Sequence, residues 1–292
     1  MAGGFVNIIM RPKAKGVLRE LTPPILGRAL RNIRAILVRK RHIDYYGLSG
    51  DYRCWDEAMA ASTGYGSEII LEKTKEALLK VKNGEAVYER DSVLFDEIQY
   101  AWPLLASLMW VAARCGGRLN VLDFGGSLGS TYFQNRVFLS ALPGVRWNIV
   151  EQSKHVKTGR TYFEDDHLRF YSGITDPLAD TQPNVVLLSG VLQYLERPYI
   201  VLHQILELSC ELVIIDRTPF WTGPTDRLCV QTVPPSIYPA SYPSWIFSRQ
   251  RFYDHLPKDW KVMVTFDNPE RMPGPVEFIY QGVIIGRSNQ VS

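Results

Sequence analysis

The sequence predicts an α/β chain: one mostly parallel seven-stranded sheet whose last strand is antiparallel, preceded by an N-terminal helical region. Three observations carry this. Apolar, β-branched runs recur between helical patterns, as doubly covered parallel strands require. One such run, Val121-Leu122-Asp123-Phe124, leads into the glycine-rich turn Gly125-Gly126-Ser127-Leu128-Gly129. Near the C-terminus, residues 267–275 crowd proline and glycine into a linker too short for a crossover helix, so the last two strands are expected to form a hairpin.

Read in order, the chain divides into a basic arm (1–45), a helical cover (46–115) and a sheet domain (116–292). Residues 1–41 hold ten Lys or Arg against Glu20 alone, a net charge of +9, while the remainder holds 23 basic against 29 acidic side chains. Leu26, Leu30, Ile33 and Leu37 share one helical face with Arg28, Arg31 and Arg34 off it. Such a helix suits the anionic inner face of a plasma membrane, or packs on the rest of the chain with its arginines solvated. Nucleic acid is not expected, because the main domain is acidic and offers no aromatic-basic platform.

In the cover, strong helix formers predict helices over 67–82 and 91–113, separated at Asn83-Gly84, with Asp91 or Ser92 capping the second. Strands are expected at 120–124, 145–151, 168–173, 184–190, 212–216, 260–266 and 276–286, and a helix at 247–256. The proline- and aromatic-rich stretch 218–245 reads as a long ordered loop, either an acceptor lid or a seal over the sheet. Cys54, Cys115, Cys210 and Cys229 are scattered without metal-ligand spacing, which suggests reduced thiols, a cytoplasmic setting and no catalytic metal. The apolar runs fall short of the roughly 18 residues that span a bilayer. Nor does the N-terminus read as a signal peptide, since its apolar run precedes its basic residues.

The chemistry concentrates at the glycine turn. A dinucleotide fingerprint fails there, because Ser127 and Ser130 stand where its second and third glycines belong. Asp123 would repel a pyrophosphate and attract a cationic or hydroxylated group, and Glu151, ending the second strand, sits where parallel nucleotide folds reach ribose hydroxyls.

What remains, D-x-G-x-(G/S)-x-G, resembles the Rossmann-like S-adenosylmethionine-dependent methyltransferases. The runs Gly47-Leu48-Ser49-Gly50-Asp51-Tyr52 with Trp55, Gly64-Tyr65-Gly66 and Tyr88-Glu89-Arg90-Asp91-Ser92-Val93-Leu94-Phe95, together with the glycine turn, resemble more closely a bacterial methyltransferase family associated with surface-polysaccharide (capsule or O-antigen) synthesis. The resemblance implies S-adenosyl-L-methionine as cofactor and a sugar-containing acceptor. It implies that Asp123, Gly125, Gly126, Ser127 and Gly129 hold the methionine half, and that Glu151 with Gln152 meets the ribose. Ile174 stands where an acid commonly meets the adenine amine, Ser189 and Gly190 belong to the fourth-strand segment, and Arg90 is placed to pair with the methionine carboxylate. Acceptor-side candidates are Asp216 as the preferred base, Tyr194 and Glu196, each also open to an ordinary capping, packing or solvated role. A small metabolite or lipid acceptor, or a non-catalytic scaffold in polysaccharide assembly, are the alternative functions.

Overall fold

The computed structural model describes residues 46–64, 68–234 and 236–288; the basic arm, with residues 11–41, lies outside them. Every described element lies in one compact unit, which begins at Gly47. Its strands are β1 (Gly47–Tyr52), β2 (Tyr88–Arg90), β3 (Val93–Phe95), β4 (Arg118–Phe124), β5 (Gly144–Val150), β6 (Leu168–Tyr171), β7 (Val185–Ser189), β8 (Leu212–Trp221), β9 (Arg227–Thr232), β10 (Ser241–Ser248), β11 (Trp260–Asp267) and β12 (Ile279–Arg287). Its helices are α1 (Trp55–Ala60), α2 (Glu68–Lys82), α3 (Trp102–Arg114), α4 (Ser130–Leu139), α5 (Ser153–Tyr162), α6 (Pro198–Leu206) and α7 (Arg249–Asp254).

The central sheet runs β6-β5-β4-β7-β8-β12-β11. The first five strands are parallel, and β12 is antiparallel to both of its neighbours. This is the Rossmann-like methyltransferase arrangement, with the reversed final strand wedged beside the fifth. Successive residues of each central strand serve opposite faces, as a pleated strand dictates. Val121, Val185, Leu187, Leu212, Ile214 and Ile284 join one core with α2, α3, α4 and α5. Leu122, Val186, Leu188, Val213, Ile215, Val283 and Ile285 join the other with α6 and α7.

Two expectations are corrected. Residues 91–113 are not one helix: β2 and β3 form a hairpin in which Arg90 pairs with Val93, and α3 begins only at Trp102. Asp91 and Ser92 are its turn, with φ of 52° and 69°, the paired left-handed conformation of a two-residue hairpin loop rather than a helix cap. Nor is the stretch 218–245 a loop. β8 continues to Trp221, β10 pairs with its end at Phe220 and Trp221, and β9 and β1 follow antiparallel. Pro219 and Pro243 lie inside β8 and β10, and proline in a run argues against a strand, which is what made the stretch read as irregular. The same extension shortens the helix expected over 247–256 to Arg249–Asp254, and gives residues 46–115 three strands besides their helices.

Candidate active site

The carboxyl ends of β5, β4 and β7 and the middle of β8 lie side by side, with Phe124 opposite Val150 and Ser189 opposite Asp216. Glu151 follows the end of β5, Asp123 is the penultimate residue of β4, and Ser189 ends β7 with Gly190 after it. The strand order sets the ends of β5, β4 and β7, which carry the cofactor-side candidates Glu151, Asp123 and Ser189, next to one another.

The turn after β4 is shaped by close approaches. A Cβ on Gly125, at φ 73°, would lie 2.3 Å from Val191 Cγ2, and one on Gly126 would lie 2.5 Å from the Asp123 carboxyl carbon. Gly126 is therefore required by Asp123, whose side chain folds back under the turn. Ser127 takes the left-handed conformation, φ 54°, that a glycine would adopt without strain. Gly129 caps α4.

Asp123 is 1% exposed, and its Oδ2 accepts a hydrogen bond from Trp147 Nε1 at 2.9 Å. Burial, reinforced by the charge of Glu151 and opposed by the Trp147 bond, pushes its carboxyl up to about 7. A cation beside it would draw it back to the charged form. Glu151 Oε2 accepts from the Gln152 backbone N–H at 2.7 Å and lies 4.0 Å from His155 Nδ1, a buried atom with no hydrogen-bond partner among the described residues. Ile174 packs against the core cluster that includes Phe124 and Val191 as neighbours, so an apolar surface stands where the resembling family commonly has an acid.

Asp216 is 2% exposed and lies within β8 rather than at its end. Its Oδ1 accepts from Asn268 Nδ2 at 2.9 Å and its Oδ2 from Ser189 Oγ at 3.3 Å; burial raises its carboxyl, against the Asn268 bond. Tyr194 donates its hydroxyl to Gln231 at 3.0 Å, meets Tyr242 edge-on, and is pushed by burial up to about 12. Glu196 is exposed and pairs with Arg197, apart from the other two.

A charged latch that sequence reasoning missed holds the β2–β3 hairpin against this crevice. Arg217, at φ 51° in a bulge of β8, binds Asp91 of the hairpin turn through Nη2 and Glu270 through Nε at 3.0 Å. Burial opposes its charge, but Asp91 and Glu270 hold its pKa well above the usual value. Arg90 adds a 3.4 Å contact to Glu270, shares Gln99 at 3.2 Å and lies over the Phe95 ring. On the other side, Glu89, 1% exposed, accepts from Ser130 Oγ at the start of α4 and from the Ser92 N–H at 2.7 Å; burial raises it to about 7 against those two bonds. Of the four non-glycine residues of positive φ among the described residues, Asp91, Ser92 and Arg217 belong to this ring of contacts and Ser127 to the glycine turn. Strain of that kind concentrates where a site is held in one geometry. The signal available in the sequence was the polar pair Asp91-Ser92 just before the strand-forming run Val93-Leu94-Phe95; nothing local marked Arg217 or Trp147.

No protein-family profile matches the sequence, and no curated protein sequence matches it. Solved structures are similar at a distance. The N-terminal domain of EvdMO1, in the presence of SAH and D-fucose, is 13% identical with a TM-score of 0.45, covering 74% of this chain and 96% of that one. The 1,6-didemethyltoxoflavin-N1-methyltransferase of Burkholderia thailandensis, with S-adenosylhomocysteine bound, is 15% identical with a TM-score of 0.39, over 82% and 93%. The magnesium protoporphyrin IX methyltransferase ChlM of Synechocystis PCC 6803, with SAM bound, is 14% identical with a TM-score of 0.39, over 77% and 100%. Similarities this remote add nothing to what the order and direction of the strands establish by themselves.

Proposed function

We propose that the chain is an S-adenosylmethionine-dependent methyltransferase acting on a hydroxyl of a sugar in a bacterial surface polysaccharide. One observation carries the methyl-transfer reading: the acid-and-glycine turn stands at the end of the central parallel strand of a sheet whose last strand is reversed between the fifth and sixth. The residues present fit the cofactor. Asp123, buried and poised near neutrality, favours an ammonium beside it; Glu151 and Gln152 offer acceptor and donor to ribose hydroxyls; Ile174 offers an apolar flank, leaving adenine's polar edge to backbone groups.

When bound, the sulfonium supplies a methyl group on a good leaving group. The protein's part is to align the acceptor oxygen with that carbon and keep water out. The hairpin β2–β3, latched through Arg217 and Glu89, provides the exclusion. Asp216 is the base we favour for the hydroxyl proton, since it adjoins Ser189 at the crevice and its raised pKa makes it a stronger base than an exposed carboxylate. Tyr194 is the second candidate. Glu196, exposed and apart, is better suited to the acceptor than to the proton. Arg90 is assigned to the cofactor carboxylate through the face it does not give to Glu270.

The sugar reading is supported by the residue pattern shared with the polysaccharide-associated family, and a location at the inner membrane face by the basic arm. No helix among the described residues is long and apolar enough to cross a membrane. Polysaccharide from a deletion strain should lack methyl groups by mass spectrometry; unchanged methylation would move the acceptor to a small metabolite or lipid. Removing residues 1–41 should abolish sedimentation with anionic liposomes at low salt, and unchanged sedimentation would refute the membrane contact.

A further inference from the structure

A groove of about 420 Å³ lies beyond the crevice, where the chain leaving β7 enters α6. That volume falls within the range of small-molecule sites. Its walls come from four separate segments: Glu196 to Ile200 at the start of α6, Thr225 and Asp226 in the β8–β9 connection, Trp245 of β10, and Arg251 of α7. Five residues separate Gly190 at the crevice from Glu196 at the groove, so one short turn, Leu192–Tyr194, connects the two.

The lining is mostly apolar, and its charges cancel locally. Asp226 Oδ2 accepts from Tyr199 Oη at 3.0 Å and from Arg251 Nε at 3.1 Å, and its Oδ1 from the Ser248 N–H at 2.8 Å. Arg197 has Glu196 at 3.7 Å. Each arginine thus faces a carboxylate, which leaves little net field for a phosphate or a carboxylate ligand. The Trp245 indole is fixed: its Nε1 donates to Leu195 O at 3.0 Å and its ring stacks with Trp55 at 6.4 Å. With its N–H committed, the ring offers a ligand only an apolar π face. Around that face Glu196 and Arg197, paired with each other, and Arg251, paired with Asp226, supply acceptors and donors from exposed or half-exposed side chains.

An immobilised aromatic face ringed by self-neutralised, hydrogen-bonding charges matches a ligand that is apolar on one face, rich in hydroxyls at its edge and uncharged. We propose that this groove is a carbohydrate subsite, seating a neutral sugar unit of the acceptor that neighbours the one presented to the crevice. The assignment of that sugar to the acceptor rests on the methyl-transfer reading; the binding of the sugar does not.

The test is calorimetric titration of the full chain with maltotriose, cellotriose and mannotriose, with and without S-adenosylhomocysteine, using inorganic phosphate and glucuronate as charged controls. At least one neutral trisaccharide should bind saturably, and Ile200→Trp, which fills the groove from its exposed side, should weaken it about tenfold while changing S-adenosylhomocysteine affinity by less than about twofold. Trp245→Phe, which keeps a ring in the wall, should weaken it less. Binding of none of the three, binding indifferent to Ile200→Trp, or displacement by glucuronate or phosphate would overturn the subsite. A chain that binds trisaccharide but not S-adenosylhomocysteine would retain the subsite and remove the methyltransferase.

Discussion

The parallel half of the sheet and the β2–β3 hairpin reach stability by different means. In β4, β7 and the first half of β8, most side chains are buried on one face or the other, so local composition and position agree. β1, β9 and β10 pack on small apolar clusters of their own and add the Arg227–Asp51 pair, whereas the β2–β3 hairpin, two strands of three residues, is tied down by polar contacts: Arg217 with Asp91 and Glu89 with Ser130. The difference teaches that the floor of the candidate site is a packing feature, whereas the β2–β3 hairpin beside it is held by charges. A packing feature breaks by steric insertion, and an electrostatic one by removing a charge.

The largest effect is therefore expected at the turn. Gly125→Ala forces a Cβ to within 2.3 Å of Val191 at a left-handed position, and should destabilise the fold by about 3 kcal/mol in urea denaturation. Unchanged stability would mean that the turn is not packed as described. Arg217→Ala should cost about 2–3 kcal/mol, since it removes the shorter of the two ion pairs of Glu270, leaving Arg90, and frees Asp91. Hydrogen exchange would localise the loss: the amides of 88–95 should lose protection while those of β4 and β7 keep it. Equal loss in both regions would erase the proposed contrast.

Titration sharpens it further. Asp123 and Glu89 both have native carboxyls raised to about 7, so the folded state retains protons that the unfolded state releases above about pH 4.5. Stability of the ligand-free chain should then be fullest below that point and fall, by about 1 kcal/mol or more, as pH rises through about 7. Asp123→Asn should flatten part of this slope, and a slope of opposite sign would contradict the burial that causes it. The smallest effect belongs to Ser127→Gly, which relieves a left-handed serine and should stabilise by about 0.5–1 kcal/mol, read as a small rise in Tm.

The same contrast explains what the sequence revealed. β4, β5, β7 and β12 were legible because doubly covered strands read as apolar runs between turn signals, and the β11–β12 hairpin because Pro269, Pro273, Gly274 and Pro275 leave no room for a helix. Asp123, Glu151 and Ser189 followed, because a strand's carboxyl end is fixed once the strand is. Arg217 was hidden: it follows an apolar run and an acid, looks like the start of a loop, and finds its partners 126 and 53 residues away. β1 and β9 were hidden for a related reason, since their pairing joins segments some 180 residues apart and local propensity carries no record of it.

Calorimetric titration of the full chain with S-adenosylmethionine near neutral pH tests the central claim most directly. The account predicts one saturable site, weakened at least tenfold by Asp123→Asn and tightening as pH rises through about 7, because the ammonium of the ligand pairs with the ionised carboxyl. No heat and no binding to the folded chain, or binding that Asp123→Asn leaves untouched, would contradict it.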